Sequence, residues 1–297
     1  MEIEDVGGRP FVSVLSVNYV LKDQVLLLLR SLNRSNYLNK EVVVVHDSGM
    51  DDELKMRSAY PEVHFCRTGK DLPQIEAVNL GLSHCNGELV LIVSNLLEVE
   101  PDFLEPLVEA FGKYPKVGAV SPRIHFYEDP GVLIYAGADD VPALSMRNPI
   151  IGHNQKDIGQ YMHTRLTSSV HRAAMMISRQ VLDEVGLMYE DYIDYYEESD
   201  WCHRAREKGF QVVYVGNSLV HLKSSMSKKD NRSRNVYLLT RNRLLFARRN
   251  FSWDQRVTSM LFFAFVSIPK NVFSFGIRGE WILMKAFLRG VWWNLTH

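Results

Sequence analysis

Apolar residues in the first 115 positions fall into short runs separated by stretches of helical period. Phe11–Val17 (FVSVLSV), Glu41–His46 (EVVVVH), Val63–Cys66 (VHFC) and Leu89–Val93 (LVLIV) are rich in β-branched residues. None alternates strictly with polar residues, which is the pattern of strands buried on both faces. Gln24–Leu32, Gln74–Cys85 and Asp102–Lys113 carry apolar residues at helical spacing, and a polar helix-like stretch follows Gly49. Strand and helix alternating at this spacing predict right-handed βαβ units and a mainly parallel sheet with flanking helices.

From 117 to 165 the pattern loosens, with apolar pieces broken by Gly, Pro, Asp and Asn. A long irregular stretch in a compact domain is expected to be functional or mobile. Ala173–Ile177 reads as a strand; Ser178 can cap a helix to Val185 that Gly186 stops. Trp201–Lys208 reads as a short helix ended by Gly209, and Phe210–Val215 as a strand. Asn231–Arg249 is a basic helix, followed by amphipathic segments at Trp253–Ser274 and Trp281–Trp293. The organisation expected is one α/β domain over 1–250 and a helical extension over 251–297.

With 297 residues and 46% hydrophobic content, the chain can bury a real core. Its 23% charged residues argue against a disordered or collagen-like protein. The net charge of −1 hides a division: residues 222–297 hold 14 Lys/Arg against 3 Asp/Glu, leaving the rest acidic. A basic, aromatic tail on an acidic body suits attachment to an anionic surface. The three cysteines form no CxxC, which points to a reducing compartment and to no readable structural zinc site. The acidic N-terminus has no apolar run of a signal peptide. The longest apolar run, Met260–Pro269, is about half the ~20 residues that span a bilayer. The expectation is a cytoplasmic protein, peripheral at the inner face of the membrane.

The densest chemical signal is acidic: eight of the 18 residues from Asp183 to Asp200 are Asp or Glu. Partial burial among like charges raises a carboxyl toward the range of a general base, whereas a helix N-terminus lowers it. The sequence leaves both open, together with a merely capped helix start. Ligands bind outside the carboxyl ends of strands in open parallel sheets. Those ends are Asn18-Tyr19, His46–Gly49 and Ser94–Glu98. Asp47 there is either a partner for a base or ribose or the start of an Asx turn. His221 is either a metal or phosphate ligand or a structural histidine. No GxGxxG and no GxxxxGK[ST] occurs.

Several segments, in order, resemble the family 2 inverting glycosyltransferases of GT-A fold, in their rhamnosyltransferase-like branch. They are Val12–Tyr19, Val42–Asp52, Asn79-Leu-Gly81, Asn86–Val93, Glu98–Leu104, Ala173–Gly209 and Val220-His221. The resemblance covers roughly 11–250, with a nucleotide-sugar half over 11–115 and an acceptor half over 116–250. It implies that Asn18, Tyr19 and Asp47 hold the nucleotide base, with Asp51 as the second acid of that loop. Asn79 falls near the donor diphosphate. Glu198 takes the place of the catalytic base, Glu197 precedes it, and Asp200 and Arg204 match polar positions on the helix behind. Arg172 and Trp201 belong to the acceptor side.

The implied donor is a UDP-, dTDP- or GDP-sugar, and the implied acceptor a glycan or lipid-linked glycan in cell-surface polysaccharide assembly. No nucleic-acid partner is expected. Without a QxxRW motif, the expected transfer is non-processive and hexosyl or rhamnosyl. The family's DXD motif, which binds Mg²⁺ or Mn²⁺, is here Ser94-Asn95-Leu96, and leucine cannot ligate a metal. His46-Asp47 replaces Asp-Asn, Gln74–Val78 replaces a glycine-rich loop, and Arg172 replaces a small glycine. The expectation is weak or absent metal dependence, with His221 and Glu98 as the candidates to compensate. A catalytically silent binding or scaffold subunit is the alternative reading.

Overall fold

A computed structural model describes residues 8–18, 23–223 and 232–297. Tyr19, Lys228, Lys229, Asp230 and Asn231 therefore lie outside the described residues. The predicted strands form β1 (Val12–Val17), β2 (Lys40–His46), β3 (Val63–Arg67) and β4 (Leu89–Ser94). They pair in parallel in the order β3-β2-β1-β4. Helices α1 (Asp23–Asn33), α2 (Met50–Ala59), α3 (Gln74–Ser83) and, later, α4 (Leu104–Lys113) complete the first half. Burial on both faces explains the runs: Val14 and Leu91 pack with Leu28, Leu29 and Leu32 on one side. Leu15, Val43 and Val45 pack with Ile75 and Leu82 on the other. Gly81 lets α3 close on β1, because a Cβ there would collide with the Leu15 side chain.

The sheet continues through short strands β5 (Leu97–Val99), β7 (Leu133–Tyr135) and β8 (Arg165–Leu166), and through β6 (Val117–Phe126), β9 (Ala174–Ser178) and β10 (Gln211–Leu222). Its main path ends β4-β9-β6-β10-β5, with β9 antiparallel to both its neighbours. The loose pattern expected over 117–165 is corrected at its start: β6 is a ten-residue strand, buried along nearly all its length. Its polar residues are held by tertiary partners. Ser121 donates to the Ala174 carbonyl at 2.7 Å, and Arg123 lies 3.2 Å from Asp157. Pro122 sits at the register break with β10, after β9 has stopped pairing. It is tolerated there because a proline has no N–H to give a ladder.

Helices α5 (Arg179–Val185) and α6 (Glu197–Glu207) follow, then α7 (Arg232–Asn250). Helix α6 begins four residues before the predicted Trp201, so Glu197, Glu198 and Asp200 occupy its first turn. In the tail, α8 (Trp253–Phe262), a π turn (Phe263–Ser267) and α9 (Ile268–Ile277) make one 25-residue helix. By length and composition that helix can cross a membrane, which corrects the half-length reading of Met260–Pro269. Helix α10 (Trp281–Thr296) ends the chain. The tail is joined to the body through a third cluster, in which Leu245, Phe246, Phe263 and Phe287 pack with Tyr192 and Tyr196.

Candidate active site

A cleft of about 670 Å³ opens at the carboxyl ends of β1 and β4, where open α/β sheets bind ligands. On one wall are Ser94, Asn95 and Leu96, from the turn after β4. On the other are Arg172, Asp194, Tyr195, Glu197 and Glu198. Leu222 and Lys223, at the end of β10, reach the same space. Its size lies within the ~300–1,000 Å³ usual for small-molecule sites.

The acidic wall is held in an unusual backbone. Tyr195 and Tyr196 are left-handed, with φ of 69° and 73°, a conformation costly for bulky residues. Asn242 on α7 clamps this bend by donating to the Asp194 carbonyl and, at 2.9 Å, to the Tyr195 carbonyl. The Tyr196 hydroxyl donates to the Met146 carbonyl at 2.7 Å. The chain then enters α6 with both glutamates buried. One oxygen of each, Oε2, has no hydrogen-bond partner. Arg172 lies 3.3 Å from Glu197 and 2.8 Å from Asp194.

Burial pushes the Glu198 carboxyl up to about 8, and the neighbouring Glu197 adds to it. Burial also raises Glu197, but Arg172 works against that rise. Burial thus outweighs the helix N-terminus, deciding what the sequence left open. Burial disfavours charge on Arg172 too, yet Glu197 and Asp194 more than offset it and keep the guanidinium protonated.

The turn after β4 is neutral. Ser94 Oγ accepts from Leu96 N–H at 3.2 Å. Asn95 donates to Asn18 at 2.5 Å, which places Asn18 one step behind the cleft. Two of the three acids on the opposite wall are engaged: Asp194 with Arg172 and Arg234, and Glu197 with Arg172. Glu98 pairs with Arg34 at 3.0 Å. Mg²⁺ and Mn²⁺ need oxygen donors, above all carboxylates. Ser94, Asn95 and Leu96 offer no carboxylate, so this turn lacks the anionic ligand of the family motif.

Other predicted residues sit elsewhere. Asp51 is exposed in the first turn of α2, and Asp47 lies half-buried beyond β2; neither lines the cleft. Asn79, expected near the donor diphosphate, is not among the residues that line the cleft. Its amide donates to the Met188 carbonyl at 2.9 Å and to Glu190 at 3.0 Å, and accepts from Met188 N–H at 3.2 Å. Trp201 is wholly buried, its indole donating to the Gly186 carbonyl at 2.9 Å. Asp200, also wholly buried, accepts from Arg204, Arg249, Asn250 and Tyr192 at 3.0–3.2 Å. Arg204 further donates to the Val185 and Leu187 carbonyls. Asp200, Trp201 and Arg204 therefore brace α6 from behind and do not face a substrate.

His221 pairs through Nε2 with Glu100 at 2.9 Å and is not among the residues that line the cleft. The reading missed Lys223, His153 and His171, all of which line the cleft. Lys223 was legible only as tail charge. Its place depends on β10 running on to Leu222, where it pairs with β5. Burial lowers His171 to about 3, so it is neutral. The Ala173 N–H donates to its Nδ1 at 3.1 Å. A separate group, His64, Cys66 and His84, brings its ligand atoms within 4.8 Å of one another, and none of the three lines the cleft.

Comparison with known proteins agrees with this geometry. The glycosyl transferase family 2 profile matches residues 13–186. The low-salt glycan biosynthesis hexosyltransferase Agl10 of Haloferax volcanii is 26% identical over 81% of this chain and 76% of its own. The N-acetylglucosaminyl-diphospho-decaprenol L-rhamnosyltransferase of Mycobacterium tuberculosis is 24% identical over 63% of this chain and 68% of its own. Among solved structures, GalNAc-T7 with UDP, GalNAc and Mn²⁺ superposes with a TM-score of 0.66 at 15% identity, covering 84% of this chain. This chain spans 50% of that one. The mannosyltransferase PcManGT of Pyrobaculum calidifontis, with GDP-Man and Mn²⁺, gives 0.58 at 15% identity over 97% of this chain and 87% of its own. Both structural likenesses establish the GT-A fold. The profile match takes in more than half of the residues, from β1 through the end of α5, and on it this chain belongs to glycosyl transferase family 2.

Proposed function

We propose that this glycosyltransferase moves one sugar, a hexose or rhamnose, from a nucleotide-diphosphate donor to a hydroxyl of a glycan or lipid-linked glycan, with inversion at the anomeric carbon. The observation that carries the reading is Glu198, a buried carboxyl at a helix start in the cleft, raised to about 8 and with one oxygen unpartnered. In its ionised form Glu198 takes the proton of the acceptor hydroxyl. That oxygen attacks the anomeric carbon as the bond to the diphosphate oxygen breaks. The nucleoside diphosphate leaves with its negative charge met by the Lys223 ammonium. Arg172, 3.3 Å from Glu197, opposes the rise that burial forces on that carboxyl. Asn95, backed by Asn18, supplies neutral hydrogen bonds to the donor. Asp47 and Asp51, beyond β2, and Tyr19 are assigned to the nucleotide base. A highly charged donor does not cross a bilayer unaided, which sets the reaction on the cytoplasmic side, in cell-surface polysaccharide assembly.

A catalytically silent scaffold is the second reading, favoured by the absence of any acid at Ser94-Asn95-Leu96. Glu198→Gln decides between them. It keeps the shape and removes the proton acceptor, and base catalysis contributes ~10²–10⁴-fold. Turnover of UDP-, GDP- and dTDP-sugars, chosen by a thermal-shift screen, should fall by that factor in kcat. No turnover of any donor by the native chain supports the scaffold. Unchanged kcat in Glu198→Gln removes Glu198 as the base.

A further inference from the structure

We infer that the C-terminal helices form a lipid-facing surface that seats the protein on an anionic bilayer, lying in its interface and not crossing it. Exposed apolar residues recur at every fourth position from Trp253 to Ile277, through Leu261, Phe265 and Phe273. A strict spacing of four drifts around an α-helix. The wider π turn at Phe263–Ser267 takes back part of that drift. Phe265 and Trp253 are 77% and 78% exposed, far more than a soluble surface leaves to large aromatic rings as a row. Helix α10 repeats the design. Leu283, Ala286, Phe287 and Gly290 face α7, while Trp281, Leu288, Trp292 and Leu295 face outward at helical spacing.

The inner faces are fixed to the body, which sets the orientation. Ser259 donates to the Ala143 carbonyl at 2.6 Å, and Phe263 lies against Phe287 and the Arg243 guanidinium. Gly290 allows close approach to the α7 backbone, and the Arg241 guanidinium stacks over Trp293 at 3.8 Å. Anchored to the body at Ser259 and Phe263, the helix Trp253–Ile277 is held against the domain's flank, although it is long enough to cross a bilayer. It can lie with its outer stripe among the acyl chains.

Charge selects lipid over a second copy of the chain. Arg256, Lys270, Arg278, Lys285 and Arg289 are exposed on these helices. The acids are Asp254 and Glu280, and Glu280 is already paired with Arg232 at 2.8 Å. Two such surfaces would set like charges against each other, whereas anionic headgroups complement them. The acidic residues 1–221 are repelled from the same headgroups, which leaves the tail as the side presented. Tryptophans fit the headgroup level.

The inference stands independently of the transfer reaction. Its test is sedimentation of the full chain with phosphatidylglycerol–phosphatidylcholine vesicles. At low salt the protein should pellet, and with pure phosphatidylcholine bind much less. At 1 M salt, where screening acts within ~3 Å, binding should fall while a residue remains. Phe265→Glu with Phe273→Glu, both at exposed positions, should lower vesicle affinity at least ~10-fold. Circular dichroism and turnover on a soluble acceptor should stay unchanged. Arg256→Gln, Lys270→Gln and Arg278→Gln together should flatten the salt dependence without touching apolar packing. Failure to pellet at low salt overturns the proposal. So does a native dimer that ignores vesicles and that the Phe265/Phe273 pair disperses.

Discussion

The two walls of the cleft are built on opposite principles. The turn after β4 is neutral and lightly held: one serine, one asparagine and one leucine, tied by hydrogen bonds from Leu96 N–H, Asn95 and Lys223 N–H. The bend before α6 is charged, strained and clamped by residues more than 40 positions away in α7. In one, no group is perturbed enough to do chemistry. In the other, buried acids are forced together and held there by Arg172, Asn242 and Arg249. The most perturbed carboxyl of the cleft lies where strain and burial coincide. The neutral turn is suited to binding, with charge supplied beside it by Lys223, whose N–H donates to the Leu96 carbonyl.

Breaking the clamp should have the largest effect on the fold. Asp200→Ala leaves the Arg204 and Arg249 guanidiniums without their shared carboxylate, and removing one partner of a buried ion pair costs ~3–5 kcal/mol. Both arginines are about a quarter exposed, so the loss should fall at the lower end, about 3 kcal/mol. Urea unfolding measures it. A change below ~1 kcal/mol, the range of a surface pair, would show that the bend holds itself.

The charge on the acidic wall can then be sharpened by pH. Glu198 is raised to about 8, so its base form accumulates as pH rises through that value. kcat/KM should climb over the same range. A carboxyl raised in the fold favours the folded state below its unfolded pKa. That contribution is lost as pH rises from the ordinary carboxyl range through about 8. Glu198→Gln should remove this slope and be the more stable chain at high pH. Arg172→Gln deletes the positive charge that lowers both glutamates. Its rate profile should move alkaline by ~1 unit, and activity at pH 7 should drop ~10-fold. A profile that stays in place would separate Arg172 from the pair.

What the sequence disclosed follows the same contrast. Strands β1–β4 were legible because both faces are apolar, and the glutamates because acids crowd before a helix. β6 was not, since Ser121, Pro122 and Arg123 look like a loop until Ala174 and Asp157 partner them. The pKa of Glu198 was open in sign because only three-dimensional burial settles it against the helix N-terminus. Asp200 and Arg204 were legible as polar positions but not as braces, which requires Arg249 and Asn250 from α7.

On the neutral wall the expected effects are smaller. Lys223 lines the cleft with its ammonium 5.7 Å from the Tyr127 ring. Lys223→Gln should weaken donor binding about tenfold, the ~1.4 kcal/mol of one exposed-to-intermediate charge contact on a diphosphate. Isothermal titration with the nucleoside diphosphate alone reads this without catalysis. Affinity unchanged within twofold would move the diphosphate away from β10.

The smallest effect expected is that of metal removal. A divalent ion needs carboxylate oxygens beside the diphosphate, and Ser94-Asn95-Leu96 has none; Asp194 and Glu197 are committed to arginines. EDTA should therefore change kcat by less than ~2-fold, since there is little bound charge to lose. Leu96→Asp turns the comparison round. It sets a carboxylate at the place where the wall is neutral, a half-buried position at the end of a turn that can hydrate it. That variant should acquire Mn²⁺-dependent stabilisation in a thermal shift with nucleoside diphosphate present, and its residual turnover should become sensitive to EDTA. If the native chain instead loses activity in EDTA and regains it with Mn²⁺, the ion is held by ligands other than this turn. The division of labour between a neutral donor wall and an acidic acceptor wall would then fail at its donor side.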